Sequence, residues 1–250
     1  MESKCYLCGR LVDKPEYIKR EDKEVVNMTI AVPKKGKNDE ADFFKCSLWG
    51  TKAKEIADNN EKGDAIGIKG NIRTRKNVIN ETNINMLEII ADEFISLDNE
   101  KVKQSDFKAL STFIGRIVRD PELNEVADGK KVSNITIAVQ RGYKNSEGIY
   151  ETDFIPVAVW GTEGENVTNY CKKGDLVSID STLTMKKNKI KDQEINMLSV
   201  NANHVLYLSK SHENIEEAEE EAILEEPKKE TKSTKSKKST KKKEEPSLEV

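Results

Sequence analysis

Apolar residues alternate with more polar ones over short stretches of this chain. In residues 134–139 (NITIAV), the apolar Ile135, Ile137 and Val139 are separated by smaller or polar side chains, and residues 27–32 (NMTIAV) repeat the order. A period of two residues is typical of a strand with one buried face. Both stretches therefore predict half-buried β-strands.

One short helix is predicted among the strands of each half of the chain. Val167, Tyr170 and Cys171 lie at helical spacing after Gly161, and Gly174 is expected to cap the helix C-terminus. The residues that repeat this arrangement in the first half are Ile56, Ala57 and Gly63. The spacing predicts an amphipathic helix that packs on the strands.

The same unit occurs twice in the chain. Residues 5–97 align with residues 111–208 with few gaps. The matching segments, in order, are 9–12 and 115–118, 27–32 and 134–139, 42–50 and 153–161, 62–64 and 173–175, and 84–87 and 195–198. A long repeat that occurs only twice fits duplicated whole domains rather than a solenoid. The second copy is longer mainly near residues 144–148, which predicts a surface hairpin loop.

Three strands, a helix and two more strands form the element order of a five-stranded OB barrel. The sequence therefore predicts an all-β fold with short helices, in which two OB-fold barrels stand in tandem. We expect the first domain at residues 1–98, a linker at 99–110 and the second domain at 111–209. Residues 210–250 are first acidic and then rich in lysine. Such a composition buries too little apolar surface to offset chain entropy, so a disordered charged tail is expected.

The composition of the chain indicates the cellular compartment in which it works. The chain has no run of about 18 apolar residues and no secretory signal pattern at its start, which favours a cytoplasmic protein without membrane contact. Its 4 cysteines are too few for a disulfide framework and are expected to remain thiols.

In the predicted third strand of each copy, one face is expected to pack in the core and the other to carry functional side chains. In residues 154–160 (FIPVAVW), three aliphatic side chains share one face, whereas Phe154 and Trp160 share the other; Phe43 and Trp49 repeat the pair in the first copy. Flat rings on an open sheet face stack on the bases of single-stranded nucleic acid. The alternative is that these rings cover a barrel end or lie in a subunit interface.

Basic residues are expected at the strand ends and hairpins, where a phosphate backbone could pass them. The candidate phosphate contacts are Arg10, Lys34, Lys35, Arg73, Arg75, Lys76, Arg116, Arg141, Lys144, Lys186 and Lys187. The alternative for any one cluster is an ordinary solvated turn. The two copies contain nearly equal numbers of acidic and basic residues. A positive surface potential therefore has to come from where the basic residues lie, not from net charge.

Catalytic and metal-binding patterns are absent from the sequence. Cys5 and Cys8 resemble half of a zinc or redox site, but no second pair follows nearby. His204 and His212 are the 2 histidines, and no catalytic triad or carboxylate pair recurs in both copies. We therefore expect no enzyme activity, no metal and no cofactor.

The second copy closely resembles bacterial single-stranded DNA-binding proteins. The segments that carry the resemblance are 115–123 (GRIVRDPEL), 134–139, 151–160 (ETDFIPVAVW), 165–167 and 172–175. The first copy shows the same pattern more loosely. The resemblance implies OB folds that wrap single-stranded DNA, with four OB domains per assembly and therefore a homodimer of this chain. It also implies roles in DNA replication, recombination and repair, in association with the nucleoid.

By position, the stacking aromatics of that family correspond to Tyr143, Phe154 and Trp160 in the second copy and to Phe43 and Trp49 in the first. The departures from the family pattern are Gly36, at the place of the hairpin aromatic, and Asn77 and Asn188, where another aromatic is common. Each departure removes a stacking platform, most of all in the first copy.

The C-terminus also departs from the family, whose acidic tail usually ends in a Pro-Phe tip that recruits replication and repair proteins. The last residues of this chain are 244–250 (EEPSLEV) instead, without that tip. Recruitment of replication and repair proteins through this tail is therefore a hypothesis that the resemblance alone does not support. The lysine-rich run is either a solubilising segment or a DNA contact. A second hypothesis for the whole protein is a protein-interaction scaffold whose DNA faces have weakened.

Overall fold

The computed structural model describes residues 1–211 apart from 22, 35, 37–39 and 192, and apart from the side chain of residue 127. The expected disordered tail lies almost wholly outside the described residues, as does Lys35. Within the described part of the chain, no helix is both long enough and apolar enough to cross a membrane.

The first half of the chain forms a barrel of five main strands, one short strand and one helix. Its elements are β1 (Glu2–Leu11), β2 (Glu16–Arg20), β3 (Lys23–Pro33), β4 (Ala41–Trp49), α1 (Lys52–Asn59), β5 (Ala65–Ile79) and β6 (Thr82–Ser96). Strand β1 pairs with both β3 and β5, and β4 pairs in parallel with β6, so the sheet curls into a barrel. The short β2 is an addition to the five strands that the sequence predicts.

The second half repeats this architecture. Its elements are β7 (Lys108–Ile117), β8 (Leu123–Val126), β9 (Lys130–Lys144), β10 (Tyr150–Trp160), α2 (Gly161–Tyr170), β11 (Leu176–Ile190) and β12 (Gln193–Ser209). The pairings β7–β9, β7–β11 and β10–β12 are the counterparts of those in the first barrel. Strand β7 begins at Lys108, and the proposed domain limits at 98 and 111 stay predictions.

The core contains the residues that the two-residue period marks as inward. Ile135, Ile137 and Val139 on β9 are buried, as are Ile30 and Val32 on β3. Where β1 crosses β3, the backbones of the two strands approach so closely that a Cβ on Gly9 would lie 2.3 Å from the carbonyl oxygen of Ala31. The equivalent distance from Gly115 to the Ala138 oxygen is 2.7 Å, which explains the glycine in both copies of the Gly-Arg motif.

The predicted helices form, with two corrections. Val167 and Cys171 are buried as expected, but Tyr170, the last residue of α2, is 62% exposed. The expected glycine cap is also wrong, because α2 is followed by Cys171 in an extended conformation. Gly174 instead has φ of +89° in the turn before β11, where its N–H donates to Ile117 O at 2.8 Å. Gly63 makes the same bond to Leu11 O at 2.9 Å.

The two barrels share one continuous sheet. Strands β1 and β7 pair in antiparallel order, with Cys5 directly opposite Ser111, its equivalent in the second copy. A pseudo-twofold axis therefore passes between these two residues. On either side of it, the long β5–β6 and β11–β12 hairpins each reach the other barrel. Their tips also meet, since Lys191 Nζ donates to Asn80 O at 2.5 Å.

Candidate nucleic-acid interface

Four aromatic side chains stand on the outward faces of β4 and β10. Phe43 and Trp49 are 52% and 54% exposed, and Phe154 and Trp160 are 48% and 40% exposed. Ile155, Val157 and Val159 between them are buried, because successive side chains of a strand point to opposite faces. Rings that remain about half exposed do not close off a barrel end. They are available to a flat, partly apolar ligand.

The hairpin between β9 and β10 adds further apolar surface that the sequence reasoning missed. Tyr143 is 48% exposed, as predicted for a stacking ring, and Ile149 and Tyr150 beside it are 56% and 48% exposed. Lys144 Nζ lies 5.4 Å from the centre of the Tyr150 ring. The signal that could have found Tyr150 is its place at the base of the inserted hairpin, directly opposite Lys144.

Two cations lie directly over predicted stacking rings. The guanidinium carbon of Arg73 is 5.3 Å from the centre of the Tyr143 ring, and Lys186 Nζ is 6.0 Å from that of Trp160. Cations at these distances are attracted to the negative face of an aromatic ring. A base that stacks on the rings would therefore have a positive charge close to its phosphate.

Other predicted phosphate contacts lie on the exposed hairpins. Arg75 pairs with Glu88 at 2.9 Å, and Lys187 pairs with Glu194 at 3.9 Å. Lys76 is exposed beside Arg75. Because exposed ion pairs are worth little, a phosphate can replace these carboxylates at small cost. The contribution of each of these residues to binding stays a prediction.

Arg10 and Arg116 brace the turn that precedes β5 or β11. Arg10 Nη1 donates to Gly63 O at 2.9 Å, and Arg116 Nη1 donates to Gly174 O at 2.7 Å. Arg10 also lies over the Phe107 ring, at 5.5 Å. These bonds explain the repeated arginine by folding alone, whereas its predicted phosphate contact stays untested.

Lys34 and Arg141, also predicted to contact phosphate, have carboxylate partners. Arg141 Nε and Nη2 donate to the two oxygens of Asp153 at 2.8 and 2.7 Å, and its side chain is only 18% exposed. These bonds raise the pKa of Arg141 above its usual value. Lys34 Nζ lies 3.3 Å from Glu40 and 3.7 Å from Asp42. The charge of each cation is therefore largely balanced within the protein.

Nothing among the described residues suggests a metal centre, since no group of three or more His, Cys, Asp or Glu side chains could hold an ion there. Cys5 points into the core and Cys8 lies on the other face of β1. Burial raises the pKa of the Cys5 thiol to about 12, which disfavours the thiolate that zinc requires. The two cysteines therefore cannot bind one ion together.

Comparisons with known proteins agree with this geometry. The model of the single-strand binding protein family matches residues 2–97 and again residues 111–208. A single-stranded DNA-binding protein of Halalkalibacterium halodurans is 46% identical over 70 residues, which are 28% of this chain and 42% of that protein. Single-stranded DNA-binding protein 1 of Streptococcus pyogenes is 46% identical over 74 residues, which are 30% of this chain and 56% of that protein. The matches thus span about half the length of these two relatives.

The fold has a counterpart among solved structures. The wild-type single-stranded DNA-binding protein from Thermus aquaticus superposes with a TM-score of 0.65 over 84% of this chain and 94% of that one, at 18% identity. This likeness confirms the predicted all-β fold of two OB barrels. Since the family match covers both barrels and more than half of all residues, the chain belongs to the single-strand binding protein family.

Proposed function

We propose that this chain binds single-stranded DNA without sequence preference and without catalysis. The observation that supports this most directly is the pair of half-exposed rings on the same strand of each barrel, Phe43 with Trp49 and Phe154 with Trp160. Every base has a flat face, so stacking on these rings contributes about 1 to 3 kcal/mol per base whatever the sequence. Membership of a family of binding proteins also argues against an enzyme.

Local charges supply the second part of the affinity. Arg73 and Lys186 lie against stacking rings, and the exposed Lys76 and Lys144 extend the positive surface along the hairpins. A cation that contacts phosphate releases counterions from the DNA, so the affinity falls as the salt concentration rises. The proposed mode of binding is therefore stacking on the sheet faces together with salt-sensitive phosphate contacts.

A titration of dT oligomers of increasing length tests this proposal, with quenching of Trp49 and Trp160 fluorescence as the readout. Binding should quench strongly with single strands, weaken with added salt and be absent with duplex DNA. The length at which quenching saturates gives the number of nucleotides bound per chain. A chain that neither quenches nor shows salt-dependent binding would favour the second hypothesis, a protein-interaction scaffold.

The working assembly is proposed to be a homodimer, which brings four barrels together. Tyr6 and Leu110 lie directly opposite each other on the outward face of β1 and β7, and they are 47% and 40% exposed. This face lies next to the pseudo-twofold axis, so a second copy can present the same surface to it. Sedimentation equilibrium should give twice the chain mass for the unmodified protein and the chain mass for Tyr6→Glu/Leu110→Glu. A monomeric unmodified protein contradicts the proposal.

The same proposal places the chain wherever single strands are exposed on the nucleoid, during DNA replication, recombination and repair. Recruitment of replication or repair proteins through residues 210–250 stays a prediction, because nearly all of that segment lies outside the described residues. Removal of these residues followed by the same dT titration would separate a contribution to DNA binding from one to partner recruitment.

A further inference from the structure

The β5–β6 hairpin of the first barrel contacts the stacking face of the second barrel. Arg73 of β5 lies over Tyr143 of β9, with 5.3 Å between its guanidinium carbon and the ring centre. No ion pair among the described residues uses Arg73, in contrast to its neighbour Arg75, which pairs with Glu88. The guanidinium therefore covers one side of a stacking ring and keeps N–H donors for another ligand.

The next residue of the same strand holds the backbone of a second stacking residue. The N–H of Phe154 donates to Thr74 Oγ1 at 3.0 Å, and Thr74 Oγ1 lies 3.3 Å from Phe154 O as a donor. The N–H of Thr74 donates to Asp153 Oδ1 at 2.8 Å. Two consecutive residues of the first barrel thus position two predicted stacking rings of the second.

Among the described residues, the opposite side of the pseudo-twofold axis shows no counterpart of these contacts. By sequence alignment, Thr184 and Met185 occupy the places of Arg73 and Thr74, and Gly36 occupies that of Tyr143. The backbone of Met185 faces the carboxylate of Asp42 and partly offsets the rise that burial causes in its pKa, so the two hairpins approach the opposite barrels in a similar way. A methionine, however, has no hydroxyl for the backbone of Phe43, and a threonine paired with glycine has neither a cation nor a ring.

A cleft of about 560 Å³ opens beside Arg73 and Tyr143 and is also lined by Asn71 and Gln140. The free side of the Tyr143 ring suits a base, and the guanidinium of Arg73 suits the phosphate beside it, since arginine donors match phosphate oxygens in pairs.

We propose that Arg73 and Thr74 of the first barrel complete a nucleotide-binding subsite on the second barrel, together with Tyr143 and Phe154. The chain therefore binds single-stranded DNA unequally: the second barrel holds it more tightly, and does so with a cation from the first. This inference rests on the proposed function. It adds that the second barrel binds single-stranded DNA more tightly and that Arg73 and Thr74 of the first barrel contribute to that binding.

Two single-tryptophan proteins separate the two faces. In Trp49→Phe, quenching of Trp160 reports on the second barrel, and in Trp160→Phe, quenching of Trp49 reports on the first. A dT oligomer of about ten nucleotides, close to the span of one OB fold, is titrated into each full-length protein. Arg73→Ala is then added to both, and Thr184→Ala serves as the matched control at the equivalent position.

Arg73→Ala should raise the Kd reported by Trp160 about five- to tenfold and reduce its dependence on salt by about one phosphate contact. The Kd reported by Trp49 should stay within about twofold, as should both values for Thr184→Ala. An Arg73→Ala effect that appears on Trp49 instead of Trp160, an equal effect of Thr184→Ala, or no effect at either tryptophan overturns the inference. Absence of quenching in the parent proteins would remove the proposed function itself, which is a distinct result.

Discussion

The two barrels have the same fold but differ in the side chains that they expose on the face proposed to bind DNA. Both have a buried apolar row flanked by exposed aromatics, on β4 in the first and on β10 in the second. The second adds Tyr143 and Tyr150 on its longer hairpin, whereas Gly36 stands at the place of Tyr143 in the first. The positions that define the barrel are thus more alike in the two copies than those proposed to contact a ligand.

The junction between the barrels, where each long hairpin contacts the opposite barrel, also differs between its two sides. Each barrel supplies an aspartate that faces the other barrel's hairpin. Asp153 accepts a hydrogen bond from the N–H of Thr74, whereas Asp42 lies near the backbone of Met185. Asp153 is also held by two bonds from Arg141, at 2.7 and 2.8 Å, whereas Asp42 has a lysine at 3.7 Å. The side of the junction with the stronger ion pair is also the side that positions Phe154 and Tyr143.

The largest expected effect comes from removal of the stacking rings of one barrel. Phe154→Ala/Trp160→Ala should weaken binding of a short dT oligomer by about 2 to 4 kcal/mol, roughly 30-fold or more, because two stacking surfaces are lost. Phe43→Ala/Trp49→Ala should weaken it about threefold or less, since the oligomer still occupies the second barrel.

Anisotropy of a labelled oligomer measures both double variants without relying on tryptophan. Tyr170→Ala is the matched control, because Tyr170 is an aromatic residue even more exposed than the stacking rings but lies at the end of helix α2. Equal losses from the two double variants would show that the barrels bind equally.

An intermediate effect is expected on stability when the aspartates at the junction are neutralised. Asp153→Asn should cost about 1.5 to 3 kcal/mol of unfolding free energy, because Arg141 loses charge-assisted hydrogen bonds in a largely buried position. Asp42→Asn should cost about 0.5 kcal/mol or less. Burial raises the pKa of Asp42, which means that its site disfavours the charge, and an amide keeps the shape of the side chain.

Urea unfolding of the two variants, measured beside the unmodified chain, gives both free energies. Comparable losses from Asp42→Asn and Asp153→Asn would mean that the lysine and the arginine stabilise the junction equally.

The smallest expected effect concerns the hydroxyl of Thr74. Thr74→Val keeps the shape of the side chain but removes both hydrogen bonds to the backbone of Phe154, so binding reported by Trp160 should weaken about two- to threefold. Thr74→Ser should restore it, and Met185→Leu at the equivalent position should leave it unchanged. A loss that serine does not restore would assign the effect to packing rather than to the hydroxyl.

Much of the fold follows from local patterns. The alternation at Ile135, Ile137 and Val139 predicts the buried face of β9, and the row between Phe154 and Trp160 predicts which rings face outward. The helix ends were harder, because the exposure of Tyr170 and the role of Gly174 depend on where the barrel edge lies. Sequence spacing alone does not contain that position.

The partners of the cations were the least predictable part of the site. Arg73, Arg141 and Lys144 look alike in the sequence, as basic residues near strand ends. The structure assigns the first to an aromatic ring of the other barrel, the second to Asp153 and the third to Tyr150. Each assignment depends on side chains that only strand pairing brings together.

By itself the sequence determined the duplication, the strand faces and the outward position of the four rings on β4 and β10. A period of two residues determines which side chains share a face, whatever the rest of the chain does. Only the tertiary structure decided that Arg73 lies over an aromatic ring of the barrel to which it does not belong. The pairing of β1 with β7 brings Arg73 to Tyr143 across 70 residues of sequence, and no local pattern encodes contacts between residues so far apart.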